Sequence, residues 1–332
     1  MKSAILTLSF AVSSAFGALY LRSESIVGTD FFHSFDWMAI DDPTHGRVNY
    51  TDEVTAKRAN LTFASHNKFI LRADDTTVLA PDGPGRNSVR LSSKHNYTTH
   101  VAVFDIAHMP QGCGTWPAVY DVSPSVVNWE FGGNWPVDGE VDILEGANDQ
   151  GTDQATLHTG PNCTMPAVRC ETGTALQSDC DANVNFNEGC GVSFNETTSY
   201  GPTFNTNGGG WYAMERTKRF IAVWFWARND YRVPREVVEG EFIISTSRWG
   251  TPAAYFPNTS CDLADWAPHN IIINLTLCGD FAGNPAVYAS SGCPSTCVDY
   301  VNNNATVFSD AFFEFNSINV YTHTGLSFPF DG

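Results

Sequence analysis

Short apolar runs separated by turn-forming residues make up most of this chain. Val, Ile, Thr, Phe and Trp dominate the runs, and Gly, Pro, Asn and Asp bound them. The clearest runs are RVNY (47–50), KFILRA (68–73), SVRLSS (88–93), THVAVFDIAH (99–108), GEVDILEG (139–146), ATLHTG (155–160), RFIAVWFWAR (219–228), NIIINLTL (270–277) and SINVYTH (317–323). In many of them apolar and polar positions alternate, which indicates β-strands with one buried face.

The pattern predicts an all-β fold. Helical periodicity is scarce, and short strands with turns between them favour a β-sandwich of two antiparallel sheets. A Gly-, Asn- and Cys-rich segment from about 160 to 210 reads as long loops held by its cysteines. We find no internal repeat, linker or low-complexity block, and single all-β domains of this length are common. Residues 18–332 are therefore expected to form one domain.

One predicted strand, GEVDILEG, carries three carboxylates in a chain of which only 16% is charged. Alternation sends Glu140 and Asp142 to one face of this strand and their apolar neighbours to the other. Glu145 is out of phase with the acidic face, because Leu144 stands where the next acid is expected. One inserted residue, a β-bulge, would restore Glu145 to that face, and bulges are enriched beside active sites.

A bulged strand would bring two glutamates together. The backbones of Glu140 and Glu145 would lie roughly 13 Å apart at about 3.3 Å per residue. Two Glu side chains that lean together close that gap to about 5–5.5 Å, the carboxylate separation of a retaining glycosidase. In that reaction one glutamate attacks the anomeric carbon and the other protonates the leaving oxygen. Asp142 lies between them, and ionised neighbours raise the pKa of the acid that must stay protonated.

Two other interpretations of the acidic strand remain open at this stage. A solvated strand face would carry the three acids without any function. Three carboxylates would also supply oxygen ligands to calcium, although an EF-hand-like loop is absent.

Aromatic residues favour a sugar site, since sugar rings present flat apolar C–H faces to aromatic rings. Such residues precede the acidic strand and also lie on a later predicted strand: Trp116, Tyr120, Trp129, Trp135, Trp224 and Trp226. Ordinary core packing would account for any one of them equally well.

Charge narrows the choice of partners. The formal net charge is −18 at pH 7, which disfavours nucleic acid and anionic membranes as partners. An uncharged polysaccharide is compatible with this charge, although solubility alone would also explain it. No Cys/His spacing indicates a zinc site, and we expect no cofactor.

The first seventeen residues, MKSAILTLSFAVSSAFG, have the features of a secretory signal peptide. Lys2 precedes a short apolar run, and Ala15-Phe16-Gly17 is a small-x-small cleavage site. An N-terminal strand of the domain is the alternative. At the other end LSFPFDG has no hydrophobic tail for a lipid anchor. We therefore expect a soluble, secreted monomer.

Nine cysteines agree with export and predict a disulfide set with at least one cysteine left over. They are Cys113, Cys163, Cys170, Cys180, Cys190, Cys261, Cys278, Cys293 and Cys297.

Glycosylation in a eukaryotic host is also expected, because N-x-[ST] sequons begin at Asn49, Asn60, Asn96, Asn162, Asn195, Asn258, Asn274 and Asn304. Asn274 lies inside an apolar run, so we expect that sequon to be buried and unmodified.

The acidic strand and several other stretches resemble secreted fungal laminarinases of glycoside hydrolase family 16, which are endo-β-1,3-glucanases. EVDILE (140–145) is similar to the family's E-x-D-x-x-E signature in its bulged form. Further similar stretches run through nearly the whole chain: DPTHGRVNY (42–50), GPGRNSVR (83–90), THVAVFDIAHMPQGCGTWPA (99–118), GEVDILEGANDQ (139–150), TLHTG (156–160), YGPTFNTNGGGWYAMERT (200–217), WGTPAAYFPNT (249–259) and NIIINLTLCGD (270–280).

The resemblance implies a β-jelly roll whose concave face bears a glucan cleft. It implies Glu140 as the nucleophile, Glu145 as the acid/base and Asp142 as the assisting acid. His158 matches a family histidine near the catalytic acids, and Trp135 matches a position that stacks on a sugar. The other candidate sugar contacts are Arg86, Tyr120, Trp129, Trp116 and Trp224. For Arg86 a structural hydrogen bond in its Gly-Pro turn is the alternative.

Some features depart from the relatives. Tyr120 and Phe281 stand where tryptophan is common, and the stretch 121–134 looks longer than in many relatives. Trp129 in that stretch is expected to take over a stacking role. By the same comparison Cys170 is the extra cysteine.

These observations together predict a secreted, retaining endo-β-1,3-glucanase, which also cleaves mixed β-1,3/1,4-glucan. The nearest alternative is a transglycosylase, although such members often carry an unbulged signature and a lipid anchor. A non-catalytic glucan-recognition protein would lack the paired glutamates. Agarases and carrageenases share the bulged signature, but charged sulfated galactans would favour a basic cleft over this acidic chain.

Overall fold

Two stacked antiparallel β-sheets form most of the protein. The computed structural model describes residues 19–123 and 134–323. Nineteen strands lie in these ranges: β1 (Leu19–Ile26), β2 (Phe35–Trp37), β3 (Val48–Tyr50), β4 (Thr62–Ala64), β5 (Phe69–Arg72), β6 (Arg86–Ser88), β7 (Arg90–Ser93), β8 (His100–His108), β9 (Thr115–Val122), β10 (Glu140–Glu145), β11 (Gln154–His158), β12 (Thr174–Ala175), β13 (Cys190–Ser193), β14 (Gly210–Arg216), β15 (Phe220–Ala227), β16 (Ile243–Ser245), β17 (Ala254–Pro257), β18 (Asn270–Leu277) and β19 (Phe312–His323).

Helices are few and short, as the scarcity of helical periodicity predicts. Within the described residues they are α1 (Phe31–Ser34), α2 (Glu53–Arg58), α3 (Gly201–Thr206), α4 (Arg235–Val238), α5 (Gly279–Ala282), α6 (Pro285–Ser290) and α7 (Cys297–Asn303). The side chain of Asp52 caps α2, because it accepts a hydrogen bond from the backbone N–H of Thr55. Among the described residues, no helix is long and apolar enough to cross a membrane.

Strand order places the acidic strand in the interior of a sheet. One sheet has the order β16-β1-β19-β8-β14-β15-β17, and β5 and β4 extend it beside β19. The other has the order β12-β13-β11-β10-β9-β18-β7-β2. We call the second one the acidic sheet, because β10 carries Glu140, Asp142 and Glu145. The predicted antiparallel sandwich of two sheets is confirmed.

Alternation along the acidic sheet separates the main core from the outer face. In β18, Ile271, Ile273 and Leu275 belong to the main hydrophobic core. Ile272 points the other way and joins a small separate cluster with Tyr120 of β9. Both faces of β18 are therefore covered, which explains why its sequence is a nearly continuous apolar run.

The other sheet also buries residues on both of its faces. In β15, Val223 and Phe225 belong to the main core. Trp224 and Trp226 point to the opposite face, where they pack edge-to-face against Trp249 in a second cluster. The aromatic residues of this strand are therefore packing residues of the sandwich.

Four disulfides join eight of the nine cysteines: Cys113–Cys293, Cys163–Cys261, Cys180–Cys190 and Cys278–Cys297. Cys170 is free and exposed, as the sequence comparison implies. The segment 160–210 contains β12, β13 and α3, so the prediction of long loops is correct only in part. One disulfide closes within this segment and another ties it to Cys261, so three of its four cysteines hold it and Cys170 does not.

Asn274 is buried, as predicted from its place in an apolar run. Only 6% of the residue is exposed. Its amide nitrogen donates to the hydroxyl oxygens of Tyr50, at 3.0 Å, and Thr276, at 2.9 Å. A glycan has no access to an amide nitrogen in this position.

Candidate active site

The predicted β-bulge is present in β10. Opposite β9, Asp142 pairs with Tyr120, whereas Leu144 pairs with Val119, so the register shifts between these positions. Ile143 is the additional residue, and its side chain is fully buried in the main core. Bulges of this kind insert one residue into one strand of an antiparallel pair.

The bulge brings the three acids to one face of the acidic sheet. Glu140 pairs with Val122, and Glu145 pairs with Ala118. Val122, Tyr120 and Ala118 alternate along β9 and therefore share a face, and directly opposed residues of an antiparallel pair point to the same side. Without the bulge, Glu145 would face the core.

Each glutamate accepts a hydrogen bond from a tryptophan. The indole nitrogen of Trp135 donates to Glu140 Oε2 over 2.6 Å. The indole nitrogen of Trp116 donates to Glu145 Oε1 over 2.8 Å. Charge-assisted bonds of this length orient a carboxylate and stabilise its ionised form. Both rings are partly exposed beside the acids.

A fourth acid, Asp153, holds the backbone beneath Glu145. Asp153 Oδ1 accepts the backbone N–H of Glu145 over 3.0 Å, and Asp153 is fully buried. The backbone N–H of Asp153 in turn donates to the Ser199 hydroxyl. Burial raises the pKa of Asp153 well above its usual range. Sequence reasoning missed this residue, because nothing in the local pattern distinguishes it from a loop acid.

His158 stands beside the central acid. It pairs with Glu140 across the β10–β11 ladder, and its Nε2 lies 3.3 Å from Asp142 Oδ2. Its Nδ1 lies 2.8 Å from the amide oxygen of Asn187. Burial lowers the pKa of His158, but the interactions with Asp142 and the two glutamates outweigh burial and raise this pKa to about 9. A protonated ring donates to Asp142 on one side and to Asn187 on the other.

The crowded acids hold their protons at unusually high pH. Burial raises the pKa of Glu140, while His158 and the Trp135 indole act in the opposite direction. Burial and the charge of Glu140 raise the pKa of Asp142 to about 6. Burial and the charge of Asp142 raise the pKa of Glu145 to about 7. Glu145 is therefore the member of the group that best serves as a proton donor near neutral pH.

Three of the candidate sugar contacts lie on the acidic face. Trp116 and Trp135 touch the two glutamates, as described above. Tyr120 pairs with Asp142 from β9, between the positions that pair with the two glutamates, and is 7% exposed. The guanidinium of Arg90 lies 5.5 Å from the centre of the Tyr120 ring. Trp129, a further candidate, lies outside the described residues.

Two candidate sugar contacts are wrong. Arg86 is fully buried, and its terminal nitrogens donate to the backbone carbonyls of Asp74 and Val301. Its guanidinium also lies over the Phe308 ring, so the structural alternative for Arg86 is correct. Trp224 lies on the other sheet with 5% exposure, and its indole nitrogen donates to the backbone carbonyl of Gly250.

Metal ligands are not assembled at this site. Among residues 19–123 and 134–323, no group of three or more His, Cys, Asp or Glu side chains is arranged to hold a metal ion. The arrangement instead offers two carboxylates for attack and proton transfer, with a third acid and a histidine between them.

Comparisons with known proteins agree with this arrangement. A family model described as "XgeA-like, catalytic GH16 domain" matches residues 35–321. A probable glycosidase of Schizosaccharomyces pombe is 39% identical over 300 residues, which are 89% of this chain and 68% of that protein. A probable endo-1,3(4)-beta-glucanase of Aspergillus clavatus is 38% identical over 314 residues, which are 91% of this chain and 46% of that protein. The chain thus spans about half the length of this glucanase.

Solved structures are similar over nearly the whole chain. The GH16 laminarinase 16A of Phanerochaete chrysosporium, with 6-O-glucosyl-laminaritriose in its donor and acceptor sites, is 54% identical with a TM-score of 0.89. The match covers 92% of this chain and 100% of that chain. An elongating GH family 16 beta-1,3-glucosyltransferase is 35% identical with a TM-score of 0.82, and covers 91% of this chain and 100% of that chain. The jelly-roll expectation for the fold is confirmed.

Proposed function

Because the chain belongs to glycoside hydrolase family 16, we propose that it is a retaining endo-β-1,3-glucanase that also cleaves mixed β-1,3/1,4-glucan. The observation that carries this proposal is the bulge in β10, because it brings Glu140 and Glu145 to one face of the sheet. Double displacement needs two carboxylates that reach the cleaved bond together, one as nucleophile and one as acid/base.

The two glutamates have different roles in this mechanism. Ionised Glu140 attacks the anomeric carbon while the bond to the leaving glycosidic oxygen breaks, and Glu145 gives its proton to that oxygen. Ionised Glu145 then takes a proton from water. The water oxygen attacks the same carbon and releases Glu140 as a carboxylate. The pKa of Glu145, which burial and the charge of Asp142 raise to about 7, supports its role as the acid.

Asp142 and His158 assist the pair. The charge of Asp142 raises the pKa of Glu145 and so keeps a proton on it. Protonated His158 offsets part of the negative charge of Asp142 and Glu140. The role of the aromatic residues follows from their position: Trp116, Tyr120 and Trp135 would contact the sugar units on either side of the cleaved bond.

Uncharged β-1,3-glucan is the substrate that we propose. The support comes from relatives named endo-1,3(4)-beta-glucanase and from the laminarinase whose structure contains 6-O-glucosyl-laminaritriose.

We further propose that the protein is secreted after removal of residues 1–17, and that residues 18–332 act as a single monomeric domain. The four disulfides support an oxidising compartment.

A transglycosylase is the second candidate. The similarity to an elongating glucosyltransferase at 35% identity favours it, because transfer uses the same glycosyl-enzyme with a sugar acceptor in place of water. Mass spectrometry of products from concentrated β-1,3-gluco-oligosaccharides separates the two activities. Products longer than the substrate as the main species would identify a transglycosylase.

Proton NMR of the first product formed from laminarin tests the proposal. Early β-anomer that later mutarotates is the expected result, because double displacement retains configuration. Early α-anomer would mean inversion and would contradict the paired roles of Glu140 and Glu145. Binding without cleavage would assign the protein to glucan recognition or to another glycan. The Glu140→Ser variant, prepared in parallel, controls for contaminating glucanase.

A further inference from the structure

Three consecutive residues beside the candidate active site have left-handed backbone conformations. Asn185, Phe186 and Asn187 have φ values of 50°, 57° and 62°. Asparagine tolerates this region, but for a bulky side chain such as phenylalanine it is an outlier that costs free energy. Residues held in such conformations are concentrated at functional sites.

The side chain of Phe186 is completely exposed, at 102% of its reference area. Large aromatic side chains are normally buried, since each removes a large apolar area from water. The turn beneath Phe186 is well held, because the backbone N–H of Asn187 donates to Val184 and that of Glu188 donates to Asn185. The Cys180–Cys190 disulfide closes the segment around it. The chain therefore presents this ring to solvent from a fixed support.

The turn is connected directly to the catalytic group. The amide oxygen of Asn187, the residue after Phe186, lies 2.8 Å from His158 Nδ1. His158 Nε2 in turn lies 3.3 Å from Asp142 Oδ2. Gly189 packs so closely on this strand that an added Cβ would lie 2.9 Å from His158 Cε1. The turn that carries Phe186 is therefore held against His158, on the side of the acidic sheet formed by β11 and β13.

We propose that Phe186 is a sugar-stacking residue that binds a glucosyl unit of the glucan chain at the β11–β13 side of the cleft. This inference rests on the proposed function, because the occupant is the same β-1,3-glucan. A glucose ring has a flat face of C–H groups that matches an exposed aromatic ring, and it carries no charge that the acidic surroundings would repel. The rigid turn lowers the entropic cost of binding, because the ring is already in position.

Two observations separate the Phe186 end of the cleft from the end that carries Trp116. Trp116 contacts Glu145 and packs edge-to-face with Phe281, so these two rings lie toward the C-terminal end of β10. Phe186 lies beyond β11, near the Glu140 end, because Asn187 meets His158 and His158 pairs with Glu140. A glucan chain long enough to extend over β11 would reach Phe186, and a short one would not.

Kinetics on β-1,3-gluco-oligosaccharides, from the dimer to the heptamer, test the proposal with the Phe186→Ala variant. We expect KM to rise about five- to tenfold for the long substrates, with kcat nearly unchanged, the scale of one aromatic stacking contact. The shortest substrates that the wild type cleaves should show no change. Phe186→Trp should retain or improve binding of the long substrates, because a larger ring replaces the phenyl group.

Two further variants separate sugar contact from a purely structural role. Phe186→Gly relieves the left-handed backbone, so it should raise Tm while it raises KM like Phe186→Ala. Tyr231→Ala removes an aromatic ring that is 95% exposed on the β15–α4 connection, and it should leave all constants unchanged. An equal fall in kcat on every substrate length would mean that Phe186 acts only through Asn187 and His158, and would overturn the proposal.

The wild-type protein tests the proposed function independently, because cleavage does not require Phe186. If the wild type cleaves β-1,3-glucan and Phe186→Ala has wild-type KM values at every length, only the stacking inference fails. If the wild type binds the heptamer without cleaving it, the dissociation constants of the wild type and Phe186→Ala are compared in place of their KM values. If the wild type neither binds nor cleaves β-1,3-glucan, both proposals fail.

Discussion

The carboxyl group of Asp153 accepts a hydrogen bond from the backbone N–H of Glu145 over 3.0 Å. The ladder between β10 and β11 ends at Asp142 and Thr156, so β11 supplies no backbone partner at the position of Glu145. Asp153 replaces that partner beyond the bulge, from a fully buried position. One side chain thus fixes the backbone direction of the proposed acid/base.

Replacement of Asp153 should therefore affect catalysis through geometry. Burial raises the pKa of Asp153 well above its usual range, and its Oδ1 accepts the backbone N–H of Glu145. Asp153→Ala leaves the N–H of Glu145 without a partner, which should cost roughly 1–3 kcal/mol of stability. Misplacement of Glu145 should lower kcat by about 10- to 100-fold. Thermal unfolding and kcat on laminarin measure the two effects.

Asp153→Asn is the matched control, because it retains an acceptor oxygen of the same size and position. This variant should keep kcat within about threefold of the wild type. A large loss in Asp153→Asn would mean that the ionised carboxylate is required. Wild-type activity in Asp153→Ala would show that the hydrogen bond does not position Glu145.

Removal of the proposed nucleophile should abolish turnover and preserve binding. Glu140→Ser should lower kcat by roughly four or more orders of magnitude, because the attacking carboxylate is lost while the aromatic contacts remain. Titration calorimetry with a laminari-oligosaccharide should still detect binding. Glu241→Ser, at an exposed position, is the control. Turnover of Glu140→Ser within tenfold of the wild type would reject the assignment.

The pH dependence of kcat/KM should be bell-shaped. Glu145 must be protonated to act as the acid, so activity should fall as pH rises through its pKa of about 7. Glu140 must be ionised to attack, so activity should also fall as pH decreases through the pKa of this group. The pKa values read from the acidic and basic limbs of this profile belong to the whole coupled group of carboxylates rather than to single residues.

Asp142 determines the position of the basic limb. Its negative charge raises the pKa of Glu145, so Asp142→Asn should move the basic limb to lower pH. Asp36→Asn changes an exposed acid on β2 and should leave the profile unchanged. A basic limb that stays in place in Asp142→Asn would show that Glu145 is not the group that titrates there.

Trp135 should influence both the nucleophile and the sugar. Its indole bond lowers the pKa of Glu140, so Trp135→Phe should move the acidic limb to higher pH while it keeps an aromatic ring. Trp135→Ala should also weaken oligosaccharide binding by about 1–3 kcal/mol, the scale of burying a large apolar side chain. Fluorescence titration measures the dissociation constant. An unchanged constant in Trp135→Ala would mean that the ring does not touch the sugar.

The bulge was predictable from sequence because the period of a strand is strict. Glu145 falls on the apolar phase and Leu144 on the acidic one, and one extra residue corrects both errors at once. The buried Ile143 is the residue that the correction requires. A one-residue shift inside a single strand is local information, so the sequence contains it.

Other parts of the site depend on contacts between distant segments. Asn187 reaches His158 from a loop 29 positions away in sequence, and no periodic pattern specifies that contact. The environment of Trp224 likewise could be identified only from the fold. Alternation shows that it faces away from Val223, but only the assembled sheets show that this face carries a second packing cluster.

The environment of Arg86 also could not be predicted from the sequence, and it leads to a prediction about stability. Its guanidinium donates to the carbonyl of Val301, which lies 215 positions away in sequence, and to that of Asp74. Arg86→Met would leave both carbonyls without this donor inside the protein. The free energy of unfolding should fall by roughly 2–4 kcal/mol, since hydrogen bonds to charged groups are lost and buried acceptors are left unpaired.

The same variant separates a structural role from a sugar contact. At a temperature well below its Tm, Arg86→Met should retain the wild-type KM for laminarin, because the side chain is fully buried. Arg58→Met, at an exposed position on α2, removes an equal charge and should change neither quantity measurably. Chemical denaturation and steady-state kinetics on the three proteins provide the comparison. A raised KM with an unchanged free energy of unfolding would instead identify Arg86 as a substrate contact. Only a residue that touches the substrate weakens binding without weakening the fold.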